Sequence, residues 1–159
     1  ASIIKPTFER LRPTHHPDFE NFVSIVRNYR GGQYGFVSNH AANAFGVAVF
    51  FTLLFKYRPL TIMTFSWAIV NSYSRIYLGV HFISDIIGGA ILGTVVGISV
   101  FCLYQYVRKK LFKMTTDELK QPVLSNAKAR VIIFTMAILV LTIIIISFIN
   151  LSLKNQLIF

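Results

Sequence analysis

The chain has 159 residues, 54% of them hydrophobic and only 14% charged, with a mean hydropathy of +0.59. Ordinary soluble domains carry about 25% charged residues, so this composition argues against a cytosolic enzyme or a disordered tail and for a bilayer as solvent. Lys and Arg number 16 against 6 Asp and Glu, a formal charge of +10; a chain both apolar and basic segregates the two properties, and its anionic partners are lipid headgroups, an anionic substrate or both.

The N-terminal segment, residues 1–37, carries Lys5, Arg10, Arg12, Arg27 and Arg30. Within 14–36, Phe19, Phe22, Val23 and Val26 follow helical spacing, which predicts either an interfacial helix lying on headgroups or a segment packed against a bundle. Four apolar stretches follow, each near the roughly 20 residues that a spanning helix needs. They run from about Asn39 to Tyr57, Leu60 to Leu78, Phe82 to Val107 and Val131 to Leu153. The last is rich in Ile, but an isolated strand in lipid leaves its backbone unpaired, so a helix is predicted there too. The fold class is therefore an all-α, polytopic transmembrane helix bundle of about four spans. It is expected to form one membrane-embedded domain over 1–159, with working helices in 38–107, a basic loop in 108–130 and a last span in 131–159.

Arg108, Lys109, Lys110, Lys113, Lys120, Lys128 and Arg130 crowd the loop before the last span, opposed by Asp117 and Glu118. The positive-inside rule makes that loop cytoplasmic, together with Lys56 and Arg58. The N-terminal segment and the link around residues 78–82 then lie outside, and the basic residues ahead of the first span need another explanation. Gly89, Gly93 and Gly97 recur every four residues in the third span. Such a face admits another helix closely, in this chain by preference, a homodimer seam being compatible but not implied. The lone Cys102 excludes an internal disulfide framework and a multi-cysteine metal site. The chain begins at Ala1 without an initiator Met, and upstream sequence is expected to be cut off or not represented.

Ionisable side chains within membrane segments are functional candidates by default. Arg75 ends the second span, His81 lies in the outer link and Asp85 opens the third. A helix starting near His81 puts His81 and Asp85, four residues apart, on one face. The carboxylate then accepts the ring N–H, fixes the tautomer and raises basicity at the other nitrogen, making a nucleophile or base; a purely structural polar pair is the alternative. Ser38-Asn39-His40 reads as a helix N-cap, whose free N–H groups and dipole cradle an anion beside a proton donor. Lys5 and Arg12 supply cations to clamp its oxygens.

These residues resemble the type 2 phosphatidic acid phosphatase family. Ser74 and Arg75 through His81 to Asp85 match its SRxxxxxHxxxD motif, Ser38-Asn39-His40 is similar to its PSGH motif, and Lys5 to Pro13 fits KxxxxxxRP. Val37 and Asn39 stand where the family usually has Pro and Gly, and only four residues precede Lys5, where the family usually has further spans; either the chain is a fragment or the site is built from fewer helices. The resemblance implies hydrolysis of a phosphomonoester or diphosphate through a phosphohistidine. His81 is then the nucleophile, Asp85 its partner and His40 the acid and base. Lys5, Arg12, Ser38, Asn39 and Arg75 bind phosphate. It implies no cofactor, metal or nucleic acid; the partners are a lipid phosphate and the bilayer, in a bacterial inner membrane with the site facing the periplasm or exterior. Undecaprenyl diphosphate is the first substrate candidate, lipid A phosphate and phosphatidylglycerol phosphate the alternatives. Vanadate-dependent haloperoxidases share a similar pocket but are soluble, so hydropathy argues against them. A non-catalytic lipid-binding protein is the rival of another class.

Overall fold

The computed structural model describes residues 4–23, 25 and 29–156, with side chains described as far as residue 146. The chain divides into two compact units, residues 1–123 and 124–159. The first contains a short helix α1 (Ile4–Phe8), a single 3₁₀ turn at Pro13–His15, and three long helices, α2 (Asn39–Phe55), α3 (Arg58–Tyr77) and α4 (Ile83–Leu111), followed by a short α5 (Thr116–Lys120). The second is built on α6 (Asn126–Gln156), which is apolar on every side. Among the described residues the fold is all-helical, and one isolated antiparallel bridge, Leu11 with Tyr34, is the only β pairing.

Local sequence accounts for where the helices stop and start. Ser38 caps α2 by accepting the Ala41 N–H, and Lys56, in left-handed backbone, ends it. Pro59 in the first turn of α3 sits where a missing N–H costs nothing. Gly79, at φ 67°, turns the chain between α3 and α4 within five residues. α2, α3 and α4 therefore run alternately up and down. The start of α2, the end of α3 and the start of α4 share one end of the bundle. The opposite end gathers Lys56, Arg58 and the basic run Arg108–Lys110. There Lys56 Nζ donates to the Lys120 carbonyl (2.7 Å), and Gln105 Nε2 donates to that of Leu119 (3.0 Å).

The packing is inverted relative to a water-soluble protein. Ala41, Ala44 and Ala48 of α2, Thr64, Ala68 and Ser72 of α3, and Gly89, Gly93 and Gly97 of α4 are buried. Ile62, Trp67, Val70 and Tyr73 of α3 and Ile83, Ile87, Ile91 and Val95 of α4 are exposed. Apart from Phe55 and Leu60 at the α2–α3 turn, which are also buried, these helices place small residues inside and large apolar ones outside, the arrangement expected where the surroundings are lipid. The glycine face of α4 lies against α2, as an intramolecular seam. A Cβ on Gly97 would stand 2.6 Å from the Gly46 carbonyl oxygen, and one on Gly93 would collide with the Ala42 carbonyl.

Two of the four expected spans are long and apolar enough to cross a membrane by themselves, α4 over 29 residues and α6 over its described residues Asn126–Ile146. α2, at 17 residues or about 26 Å, is short for a hydrocarbon core of about 30 Å. α3 is long enough, but Thr61, Thr64, Ser66, Asn71, Ser72 and Ser74 lower its hydropathy.

A helix along 14–36 is not formed among its described residues. After the turn at Pro13–His15 the chain makes successive tight turns through 17–22, with Phe19 N–H donating to the His16 carbonyl and Phe22 N–H to that of Phe19. The competing interaction is backbone pairing between 10–12 and 33–35: Arg12 N–H donates to the Gln33 carbonyl and Gly35 N–H to that of Arg10. Pro17 and the Gly31-Gly32 pair also disfavour a continuous helix. Val26, part of the expected apolar face, and Arg27 lie outside the described residues.

The seam makes a direct prediction. G93L should lower the thermal stability of the detergent-solubilised protein by about 2–3 kcal/mol or more, because the clash is with backbone. G32A, where a new Cβ meets nothing within 4 Å, should stay within about 0.5 kcal/mol of wild type. Equal melting temperatures for G93L and G32A would disprove the close approach.

Candidate active site

Asp85 organises the bundle end that holds the α2 and α4 N-termini. It is the third residue of α4, its side chain fully buried. Oδ2 accepts the Phe82 backbone N–H (3.0 Å) and the His81 Nδ1–H (3.3 Å), and Oδ1 accepts from Arg10 NH1 (3.0 Å). Its backbone carbonyl accepts the Ser38 N–H (3.0 Å), tying the α4 start to the α2 cap. The His81–Asp85 pair thus forms, but not through a shared helical face. His81 lies before α4 begins at Ile83. Asp85 reaches back over the open N-terminus, as acidic third residues of helices do, and meets the ring there.

His81 is buried, 4% exposed, in the α3–α4 connector. With Nδ1–H given to Asp85, Nε2 carries the lone pair and lies 3.1 Å from Arg12 NH1, which also donates to the Val80 carbonyl (2.9 Å). Burial pushes the His81 pKa below the ordinary histidine value, the bond to Asp85 opposing that shift and the charge of Arg12 adding to it. The ring is therefore neutral near pH 7, as a nitrogen nucleophile requires. Arg12 is braced by backbone pairing with Gln33 and by Gly31, whose position at φ 69° leaves room for the guanidinium. Its Nε is buried without a hydrogen-bond partner among the described residues. Buried guanidinium N–H groups of this kind are satisfied by an anionic oxygen acceptor.

The remaining expected residues assemble around this pair to different degrees. His40, second residue of α2, is exposed and within electrostatic range of Arg75, His81, Arg12 and Lys5. Lys5 Nζ donates to the Tyr34 carbonyl (3.2 Å), and burial followed by the nearby Arg12 charge lowers its pKa. Arg75, in the last turn of α3, gives Nε–H to Ser74 Oγ (3.1 Å), leaving its terminal nitrogens for other partners. Ser38 Oγ is buried and accepts the Ala41 N–H (3.4 Å), so the hydroxyl acts through the cap. Asn39 is exposed, its side chain turned toward a groove with Ala42, Asn43 and Leu92; what it can offer an anion is its N–H at the helix start. Arg10 was counted in the sequence only among basic residues lacking an explanation; its ion pair with Asp85 supplies one. No sequence signal distinguished it from Arg27 or Arg30. Among the described residues no three His, Cys, Asp or Glu side chains come together as a metal site.

A PAP2 superfamily model matches residues 1–109. The chain belongs to the PAP2 superfamily. It is 46% identical over 110 residues to a lipid A 4'-phosphatase of Porphyromonas gingivalis, covering 69% of this chain and 47% of that protein. It is 40% identical over 117 residues to a lipid A 4'-phosphatase of Bacteroides thetaiotaomicron, covering 73% of this chain and 51% of that one. A phosphatidylglycerophosphatase B of Bacillus subtilis is 31% identical over 100 residues, 57% of this chain and 44% of that protein. The chain spans about half the length of these relatives. No solved structure matches it.

The pKa of His81 can be measured directly. Imidazole NMR should place it below the unperturbed value of about 6.5, and D85N should lower it further by removing the acceptor that favours the charged ring. Because the folded value lies below the unfolded one, the stability contributed by the neutral ring is complete above about pH 6.5 and lost on acidification. A His81 titration above 6.5 would contradict this environment.

Proposed function

We propose that this chain carries the catalytic centre of a membrane phosphatase that cleaves a phosphate monoester from a lipid through a phosphohistidine on His81. The carrying observation is the ring of His81 itself, held at Nδ1 by buried Asp85 and presenting Nε2 to Arg12. Nε2 attacks phosphorus and the bond from phosphorus to the lipid oxygen breaks. His40 gives that oxygen its proton. Water then attacks the phosphohistidine, His40 takes its proton, and phosphate leaves with His81 restored. Attack requires Arg12 to turn its N–H from Nε2 toward the equatorial oxygens, where Lys5, Arg75 and the α2 N-terminus join it. Phosphoryl transfer draws mostly on such positioning and charge stabilisation.

For the substrate, sequence reasoning placed undecaprenyl diphosphate first. The relatives support the alternative, a phosphate on lipid A, since two of them are named lipid A 4'-phosphatase. Phosphatidylglycerol phosphate is the second reading, supported by the Bacillus subtilis relative. The inverted packing of α2, α3 and α4 supports four spans, with the site at the outer boundary of a bacterial inner membrane and the basic loop 108–130 in the cytoplasm. In this arrangement 1–37 covers the outer face, 38–107 supplies the catalytic helices and 131–159 the last span, as one membrane-embedded domain.

Phosphate release from lipid A, phosphatidylglycerol phosphate, phosphatidic acid and undecaprenyl diphosphate, assayed with the full-length protein in detergent, tests the reading. Lipid A should be turned over fastest; preference for undecaprenyl diphosphate would reverse the substrate order, and no release from any would leave a lipid-binding protein. H81A should lose about 10³-fold or more in kcat. H40A should lose roughly 10²–10⁴-fold in kcat with little change in KM. Activity should persist in excess chelator; a loss restored by Mg²⁺ would remove the metal-independent mechanism.

A further inference from the structure

Arg10 belongs to none of the residues given a role in phosphate binding or proton transfer above, yet it makes three contacts at the centre of the site. Its NH1 lies 3.0 Å from Asp85 Oδ1 and 2.7 Å from Ser84 Oγ, and its guanidinium carbon sits 4.7 Å from the centre of the Phe82 ring. We propose that Arg10 is a positioning residue for the nucleophile, holding one oxygen of Asp85 so that the other stays aligned with His81 Nδ1. The proposal rests on the phosphohistidine reading of His81.

The terminal torsion of an aspartate is broad, so a carboxylate bound at one oxygen can still swing. Bonds at both oxygens remove that freedom. Here Oδ2 holds the Phe82 N–H and the His81 ring, and Oδ1 holds Arg10. A buried, fully desolvated carboxylate is also costly unless paired, and Arg10 is its one arginine or lysine partner among the described residues. The loop carrying Arg10 is itself braced. The Arg10 carbonyl accepts the Gly35 N–H (2.8 Å), and the next residue, Leu11, bridges to Tyr34. Arg10 does not reach the attacking side of the ring. It acts at the carboxylate that meets Nδ1, whereas attack comes from Nε2, where Arg12 lies.

Position and charge separate the two arginines in a measurement. The groups acting on His81 are Arg12 and Lys5 from the N-terminal segment, Asp85 from α4 and His40 from α2, with Arg75 of α3 acting on His40 and Arg12. Arg10 acts through Asp85. Without its positive charge the carboxylate favours a charged imidazole more strongly, so His81 should protonate at higher pH.

The test measures kcat, KM and the pH profile of kcat/KM for phosphate release from lipid A and phosphatidic acid. It uses the full-length protein in detergent, as wild type, R10A, R10Q, R10K and H81A. R10A should lower kcat roughly 10–100-fold, as loss of a supporting contact does elsewhere, leave KM within about twofold, and move the acid limb up by about half a pH unit or more. R10K should return the limb to its wild-type position and recover part of kcat. R10Q, which keeps a donor for Asp85 without the charge, should show the displaced limb with a smaller loss of kcat, and it carries the same readout if R10A does not survive purification. An acid limb unmoved in R10A or R10Q, or a loss confined to KM, overturns the positioning role. Wild-type turnover by H81A would instead remove the phosphohistidine reading, whatever Arg10 does.

Discussion

The buried carboxylate of Asp85 is the interaction on which the rest of this end of the molecule depends. A desolvated aspartate is tolerated only when its oxygens are bonded, and the donors come from segments far apart in sequence. Arg10 arrives from the N-terminal loop, His81 and the Phe82 N–H from the α3–α4 connector, and the carbonyl of the same residue receives the Ser38 N–H. The requirement fixes where the loop crosses the helix ends. It also explains Gly35, since a Cβ there would stand 2.7 Å from Asp85 Oδ2. One buried charge thus sets the tautomer of His81, joins two helix starts and draws the N-terminal arginines over them.

The helices can bring these groups together because the interior is built from small residues. Gly89 lies against the Ser38 carbonyl and Ala41, so the α4 N-terminus meets the α2 cap almost backbone to backbone. A larger residue at 89 would push the two starts apart, and with them Asp85 and His40. In water, a core of Ala, Gly, Ser and Thr would bury too little apolar surface to hold three helices together. In lipid, close packing is the source of cohesion and the Ile and Val side chains on the outside cost nothing. Solvent and site are therefore coupled: a lipid environment permits the close seam, and the seam sets the spacing of Asp85 and His40.

Much of this was legible in the sequence. The four helices follow from apolar length, Pro59 and the cap at Ser38; α4 and α6 run past the expected stretches because their helical backbone continues into the flanking polar and basic residues, 108–111 and 126–130. The glycine spacing predicted a close intramolecular seam on α4, though not that α2 is its partner. The pairing of His81 with Asp85 was readable, but not its geometry, since a shared helical face and a side chain reaching back over the N-terminus use the same spacing. Of the two readings of segment 14–36 the helix fails, because Phe19, Phe22 and Val23 recur at helical intervals even in a series of turns and its backbone pairing depends on residues 10–12, a partner that periodicity does not reveal, while Phe19 does pack on Phe82 at the start of α4. Arg10 was invisible for the same reason. A basic residue in a loop carries no mark of the carboxylate that it meets 75 positions later.

The charge balance of the site answers a difficulty that composition raised. On the proposed topology Lys5, Arg10 and Arg12 lie on the side where the positive-inside rule disfavours cations, and the acidic group bonded at the site is Asp85, held by Arg10 and His81. Arg10 and the His81 ring N–H already engage that carboxylate, and among the described residues no ion pair holds Lys5, Arg12 or Arg75. The lowered pKa of Lys5, from burial and the neighbouring Arg12, is the mark of cations held close against their mutual repulsion. In the proposed reading a phosphate with two negative charges would relieve that repulsion and offer acceptors to the Arg12 guanidinium, whose Nε has no hydrogen-bond partner among the described residues. The same excess favours a transition state in which charge spreads over three oxygens. On that reading the basic residues ahead of α2 form an anion site, and a bound phosphate would offset the cost of placing them there.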